Sequence, residues 1–409
     1  MPSHPRLRSL DIRPTHHGGA PALLVRDPLE LADRYLILPH GLGPALFLLD
    51  GEHALADLPD LLAEAWGVRV GPEVLAELLA ALDEALFLDN DRSQEALAAA
   101  LARYRADAFR SPGGAGQSYP AQPQALRSLL DGYLAGVKGD AILPAGGGGP
   151  NGAHGLLSPH IDYERGGRVY AQVWRQGAEM AQAARRVVIL GTDHYAGHNR
   201  VTLTRQNYAT PYGLLPTDQE VVAALAAAIG PEQAFAGELY HRREHSLELV
   251  LTWLHHMRGG RPVAVTPILT GSFHPFIANG GHPAADPAFA ALLHTLAPLA
   301  RDPDTLFLAS GDLAHVGPAF GGEPVGIIER AEVRAHDDEL RAHLAAGDAE
   351  GFWAFIKAGE DAKNVCGVSP FYLTLKLLGA SEGHPAGYAL CPADPQNTSI
   401  VSVCGMVFG

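Results

Sequence analysis

Residues 187–194 read Val187-Val-Ile-Leu-Gly-Thr-Asp193-His194: four apolar residues, a glycine, then a polar tail ending in a carboxylate and an imidazole. A short apolar run without alternation is the pattern of a strand covered on both faces. The same form recurs at Gly155-Leu-Leu-Ser-Pro-His160-Ile-Asp162 and at Leu306-Phe-Leu-Ala-Ser-Gly-Asp312-Leu-Ala-His315. Runs at 263–269 and 400–404 complete the candidate strands. Helical spacing of apolar residues predicts helices between them, over 168–183, 217–229, 245–257, 286–299, 329–346 and 368–378. Strands alternating with helices predict an α/β fold with a central, mostly parallel sheet flanked by helices.

Upstream of this region the pattern differs. Tyr35-Leu-Ile-Leu38 and Ala45-Leu-Phe-Leu-Leu49 read as two strands joined across the hairpin-like break 39–44. A helix follows with Leu55, Leu58, Leu62 and Trp66 at helical spacing, and Gly67 stops it. Pro72 opens another, whose apolar stripe is Val74, Leu75, Leu78, Leu79, Leu82 and Leu86. Strand, helices and a wing suit a small winged-helix-like α+β domain. From 72 to 91 this part carries six carboxylates and no Lys or Arg, so a phosphate backbone would be repelled and docking of a peptide or another domain is favoured. The turn-rich stretch Ser111-Pro-Gly-Gly-Ala-Gly116 marks the boundary, giving domains 1–110 and 111–409. The glycine run 146–149 reads as a surface insertion in the second domain, and it lacks the Lys and Ser/Thr of a phosphate loop.

The whole chain has 409 residues, 47% hydrophobic and 18% charged, with a net charge of -15. That apolar content supplies a core, and the acidic balance argues against nucleic-acid binding. Three cysteines cannot form a disulfide framework, and no run approaches the roughly 20 apolar residues a bilayer crossing needs. A cytoplasmic protein is expected. Twenty histidines stand out from this background.

In an open α/β sheet ligands bind at the carboxyl ends of the strands, where loops from neighbouring strands converge. The tails quoted above would bring His160, His194 and His315 there, with Asp162, Asp193 and Asp312 beside them. Imidazole with carboxylate suits iron, copper or zinc. Each Asp is alternatively an outer partner that fixes a ring's tautomer, and Asp162 is alternatively a turn cap. Asn364-Val-Cys366-Gly367 precedes the helix 368–378, which would place the Cys366 thiol at a helix N-terminus that stabilises thiolate. His245 and Glu248, three apart at the start of another helix, could reach the same crevice. His241, His255, His256, His274 and His282 lack this context and read as structural or solvated, and Cys391 and Cys404 as buried apolar residues. No GxSxG elbow or HExxH zinc motif is present.

Six segments in order resemble the Memo family (AmmeMemoRadiSam system protein B): AGQSYPAQPQALRSLLDGYL (115–134), SPHIDY (158–163), VVILGTDHY (187–195), EHSLE (244–248), FLASGDLAH (307–315) and NVCG (364–367). The resemblance implies a fold similar to class III, LigB-type extradiol dioxygenases. It also implies a vestigial active site at His160, His194, His315 and Cys366, with Asp312 beside it. More loosely, residues 25–90 resemble the small winged-helix domains of the PqqD peptide-chaperone family, which present peptides to modifying enzymes, radical-SAM proteins among them. Two functions follow as expectations. One is a metal-dependent oxidoreductase or dioxygenase-like protein holding iron or copper, with zinc as a further option, through His160, His194, His315 and Cys366, and with Cys366, Asp312, His245 and Glu248 in catalytic roles. The other is a non-enzymatic adaptor that binds a peptide or a radical-SAM partner. Hydrolysis by zinc-activated water is a third reading.

Overall fold

The computed structural model describes residues 3–137, 152, 154–195 and 199–409. The glycine run at 146–149 lies outside the described residues. The chain divides into two compact units, Met1–Asp107 and Ala108–Gly409. Among the described residues no helix is long and apolar enough to cross a membrane.

The first unit carries an antiparallel sheet of β1 (Asp11–His17), β2 (Ala20–Arg26) and β3 (Tyr35–Pro39), in that order. Two helices, Leu58–Trp66 and Pro72–Glu84, pack Leu58, Leu62, Leu75, Leu78, Leu79 and Leu82 against Val25 and Leu38 of the sheet. Gly67 ends the first at a left-handed φ of 66° that a side chain would resist. Pro72, whose missing N–H costs nothing in a first turn, starts the second. Two expectations are corrected here. Residues 45–49 are not a strand: Gly43–Phe47 is a short helix with Pro44 in its first turn, and no hairpin forms at 39–44. The strand that pairs with β3 is β2, from upstream, and β2 pairs in turn with β1, whose Asp-Ile-Arg-Pro-Thr-His-His carries no apolar alternation to reveal it. Val74 also falls outside the buried stripe, at 39% exposed.

The second unit is built on a mixed eight-stranded sheet. Its strands are β4 (His154–Ser158), β5 (Arg186–Thr192), β6 (Val201–Leu203), β9 (Ala264–Thr270), β10 (Thr305–Ser310), β11 (His315–Val316), β12 (Gly383–Pro392) and β13 (Ile400–Phe408), while β7 (Tyr208–Thr210) and β8 (Gly213–Leu215) form a separate ribbon. The order is β11-β13-β4-β10-β5-β9-β6, with β12 pairing the other side of β13. The four middle strands run parallel, and antiparallel strands extend both ends. The continuous apolar runs have a direct cause in the layers. Leu157, Val188, Leu190 and Phe307 pack on one face against the helix Val368–Leu378 and its neighbours. Leu156, Val187, Ile189 and Leu306 pack on the other against the helices Tyr163–Gln176 and His245–Met257. The single helix expected over 168–183 starts earlier and breaks at Gly177, where an added Cβ would sit 2.6 Å from a methyl of Leu156.

Candidate metal centre

The strand order decides the site. β4, β10 and β5 are adjacent, and Ser310 pairs in register with Ser158 on one side and Gly191 on the other. The loops carrying His160, Asp312 and His194 therefore leave the sheet at one level, at the carboxyl ends of three neighbouring parallel strands, as the sequence led us to expect. The helix Val368–Leu378 lies across β4, β5 and β10 and delivers Cys366 from the far end of the chain. The Gly367 amide donates to the Asp312 carbonyl at 2.9 Å and the Thr192 hydroxyl to the Cys366 carbonyl at 2.8 Å, tying this segment to two strand ends.

The Cys366 sulfur lies 3.2 Å from Nε2 of His160 and accepts the Asp312 amide at 3.3 Å. Asp312 Oδ1 accepts the His160 amide at 2.9 Å, and its Oδ2 stands 3.8 Å from His160 Nε2. Ligand atoms of His160, Asp312 and Cys366 all lie within 4.8 Å of one another, and so do those of His160, His194 and His245. His160 belongs to both trios.

Hydrogen bonds assign the tautomers. The Ser310 hydroxyl donates its one proton to the Ser246 carbonyl, so at its 3.3 Å contact with His160 Nδ1 it can only accept. Nδ1 of His160 then carries the proton and Nε2 offers its lone pair beside the sulfur. Glu244 does the same for two further rings: its Oε1 faces Nδ1 of His194 at 3.0 Å and Nδ1 of His245 at 3.2 Å. Carboxylate on one ring nitrogen and metal on the other is the usual way a ligating imidazole is oriented. The rings of His194 and His245 are stacked with centroids 4.8 Å apart.

Burial sets the charges. It holds His160 neutral well below the usual histidine value, helped by the neighbouring imidazoles of His194 and His245. Burial lifts Asp312 to about 6 and Asp193 to about 7. Although burial opposes its negative charge, Glu244 is held well below the ordinary carboxylate value by His194 and His245. His245 is raised despite burial, through its bond to Glu244. The Cys366 thiol is pushed well above its ordinary value by burial, with Asp312 adding to the effect. The thiolate expected for Cys366 at a helix N-terminus is not what the metal-free protein favours: desolvation holds the group as a thiol.

The other expected residues are placed as follows. His315 is held neutral, at about 4, by burial, and its Nδ1 donates to the Leu313 carbonyl at 3.0 Å. It pairs in β11 with Val401 at the sheet edge, and no trio of donors within 4.8 Å includes it among the described residues. Glu248 does not join the crevice as a reactive group. Its carboxylate is consumed by the Arg110 guanidinium, the amides of Gly113 and Gly114 and the Tyr119 hydroxyl. Asp162 caps the helix Tyr163–Gln176 through the Arg165 amide. His241 is buried between the Tyr208 hydroxyl and the Thr202 carbonyl, and His255 between Thr210 and the Gly260 carbonyl. Glu244 was not singled out in the sequence. Its only local signal was its place as the residue before a helix start, where a carboxylate usually just caps.

A cavity of about 400 Å³ opens beside the cluster, lined among others by Asp193, His194, Phe273, Asp361 and Cys366. The Memo-like protein family matches residues 110–407. A MEMO1 family protein of Aquifex aeolicus is 25% identical over 99% of both chains. A MEMO1 family protein of Methanopyrus kandleri is 28% identical over 68% of this chain and 91% of its own, and one of Thermus thermophilus is 27% identical over 79% of this chain and 90% of its own. Motifs, fold and a family match spanning nearly all of the second unit agree, and this chain belongs to the Memo-like protein family.

Proposed function

We propose that this protein holds one transition-metal ion at the His160–Cys366 cluster and uses it for redox or oxygenase-like chemistry. The observation that carries the reading is the 3.2 Å approach of Cys366 Sγ to a deprotonated His160 Nε2, with His194 oriented by Glu244 beside them. The donor set fits an ion: imidazoles, of which His160 is kept neutral by burial, a carboxylate and one soft sulfur select iron or copper, with zinc accepted. His160 and Cys366 would be ligands with His194, and Asp312 and Glu244 orient them. A bound ion of this kind supplies one-electron chemistry or activation of oxygen at a substrate in the adjoining cavity. The chain's own residues keep the imidazoles in the ligating tautomer, with His160 buried and His194 and His245 open to the outside.

Elemental analysis of purified protein, followed by titration with Fe(II), Cu(II) and Zn(II), tests this. One equivalent of iron or copper lost in Cys366→Ser and in His160→Ala supports the reading; unchanged titration in both variants removes it.

A second reading, a peptide-docking adaptor, rests on the first unit. An apolar cavity of about 370 Å³ there is lined by Ile12, Leu23, Leu46, Phe47 and Trp66 among others, with Phe47 80% exposed at its rim. An extended peptide with large apolar side chains, of the kind a radical-SAM enzyme modifies, is the occupant this reading names. A panel of such peptides titrated against the full-length chain should show binding that Phe47→Asp abolishes and chelators leave unchanged.

A further inference from the structure

Glu244 carries two imidazoles of the cluster; its carboxylate accepts the amides of His194 and Ser246, and its carbonyl is held from behind by a buried cation. Arg110 is 1% exposed and spreads its guanidinium over three acceptors: Nε donates to the His241 carbonyl at 2.8 Å, Nη2 to the Glu244 carbonyl at 2.9 Å, and Nη1 pairs with Glu248. All three acceptors belong to the turn and first helical turn that present Glu244 and His245. Glu244 is the N-cap of that helix, its carboxylate accepting the Ser246 amide at 2.9 Å, and Arg110 fixes the carbonyl of the same residue from behind, which restrains the direction of the carboxylate in front. Glu248 in turn accepts the Gly113 amide at 2.8 Å and the Gly114 amide at 2.7 Å, which locks residues 110–114 onto the same helix. The Arg110 amide and carbonyl bond Asn207 and Ala209, so the arginine itself has a rigid backbone.

We infer that Arg110, with Glu248 as its counter-ion, is a positioning residue for the metal centre, acting through Glu244 on His194 and His245. This rests on the metal reading above. A purely packing role would need only charge and volume at this place. The forked geometry, three donors onto three points of one helix start, is what a lysine cannot reproduce.

The test uses the full-length chain and Co(II) as the probe. In metal-free protein, the Nδ1 protons of His194 and His245 bonded to Glu244 give downfield-shifted NMR resonances at low temperature. Arg110→Lys should weaken or remove those resonances and lower Co(II) affinity about tenfold, the scale on which partners outside the ligand shell act, with a shifted thiolate-to-cobalt absorption band. Glu248→Gln keeps one acceptor oxygen, turns the other into an NH2 that no longer accepts, and removes the charge that pairs with Arg110; it serves as the second variant where Arg110→Lys does not fold and should move the same signals in the same direction. Lower thermal stability with unchanged imidazole resonances and cobalt spectrum in the folded fraction would overturn the inference. If wild-type protein binds no Co(II), the metal reading fails, while the imidazole resonances of the metal-free variants still decide the role of Arg110.

Discussion

The sulfur of Cys366 touches the ring of His160 at 3.2 Å across 206 residues of chain. Neither group is in its ordinary protonation range: burial disfavours both the imidazolium and the thiolate. The pair is therefore neutral until something with positive charge replaces the thiol proton.

Metal binding should release close to one proton per ion near pH 7. The proton comes from Cys366, whose raised pKa keeps it protonated in the free protein, while His160 is already neutral and contributes none. Calorimetric titration in buffers of different ionisation enthalpy measures the number. In Cys366→Ser the release should vanish together with the thiolate-to-metal absorption band.

Gly311→Ala should damage both fold and site. An added Cβ would lie 2.5 Å from the Gly367 Cα, backbone that cannot swing aside. Separating these two loops pulls Asp312 from Cys366. Overpacking of this kind costs about 1–3 kcal/mol. Denaturation should show that loss, and metal affinity measured below the transition should fall as well, whereas Gly132→Ala, with open space around its Cβ, should leave affinity unchanged.

Acid should destabilise the second unit through His241. Burial lowers this ring from 6.5 to about 3, so its neutral form belongs to the folded state. Its contribution is complete above pH 6.5 and is lost as pH falls from there toward 3, on the order of 5 kcal/mol in total at about 1.4 kcal/mol per pH unit. Chemical denaturation at stepped pH should show this slope, and His241→Gln, which cannot take up a proton, should flatten it.

Arg110→Ala should be far more disruptive than Arg110→Lys. Removing the cation leaves Glu248, 3% exposed, without its counter-charge, and breaking such a buried pair costs about 3–5 kcal/mol. The double variant Arg110→Ala with Glu248→Gln should recover a large part of that loss in thermal denaturation.

Much of this architecture is readable along the chain because the relevant signals are local. The runs at 155–157, 187–190 and 306–309 carry no charged or polar side chain because helices cover both faces of the sheet, and their tails mark the ligand-binding edge. The helix His245–Met257 coincides with its apolar spacing. By contrast β1 is polar, and its pairing with β2 is a property of the sheet rather than of its own residues. Pro44 and its neighbours were equally compatible with a turn or a helix start, and packing of Ala45 and Leu46 into the core chose the helix.

The sequence alone determined the kind of chemistry: imidazoles, carboxylates and one sulfur gathered by strand ends, because side-chain type and strand periodicity are written residue by residue. Tertiary structure decided which of them meet. The order β4-β10-β5 brings His160 to both Cys366 and His194, the fork of Arg110 holds the Glu244 carbonyl and takes Glu248 out of the crevice, and β11 leaves His315 near enough to His160 and His194 to act on their charge but outside the two donor trios. Those outcomes depend on distances between segments up to 206 residues apart, and on burial, which fixes protonation only once the two faces of the sheet have closed.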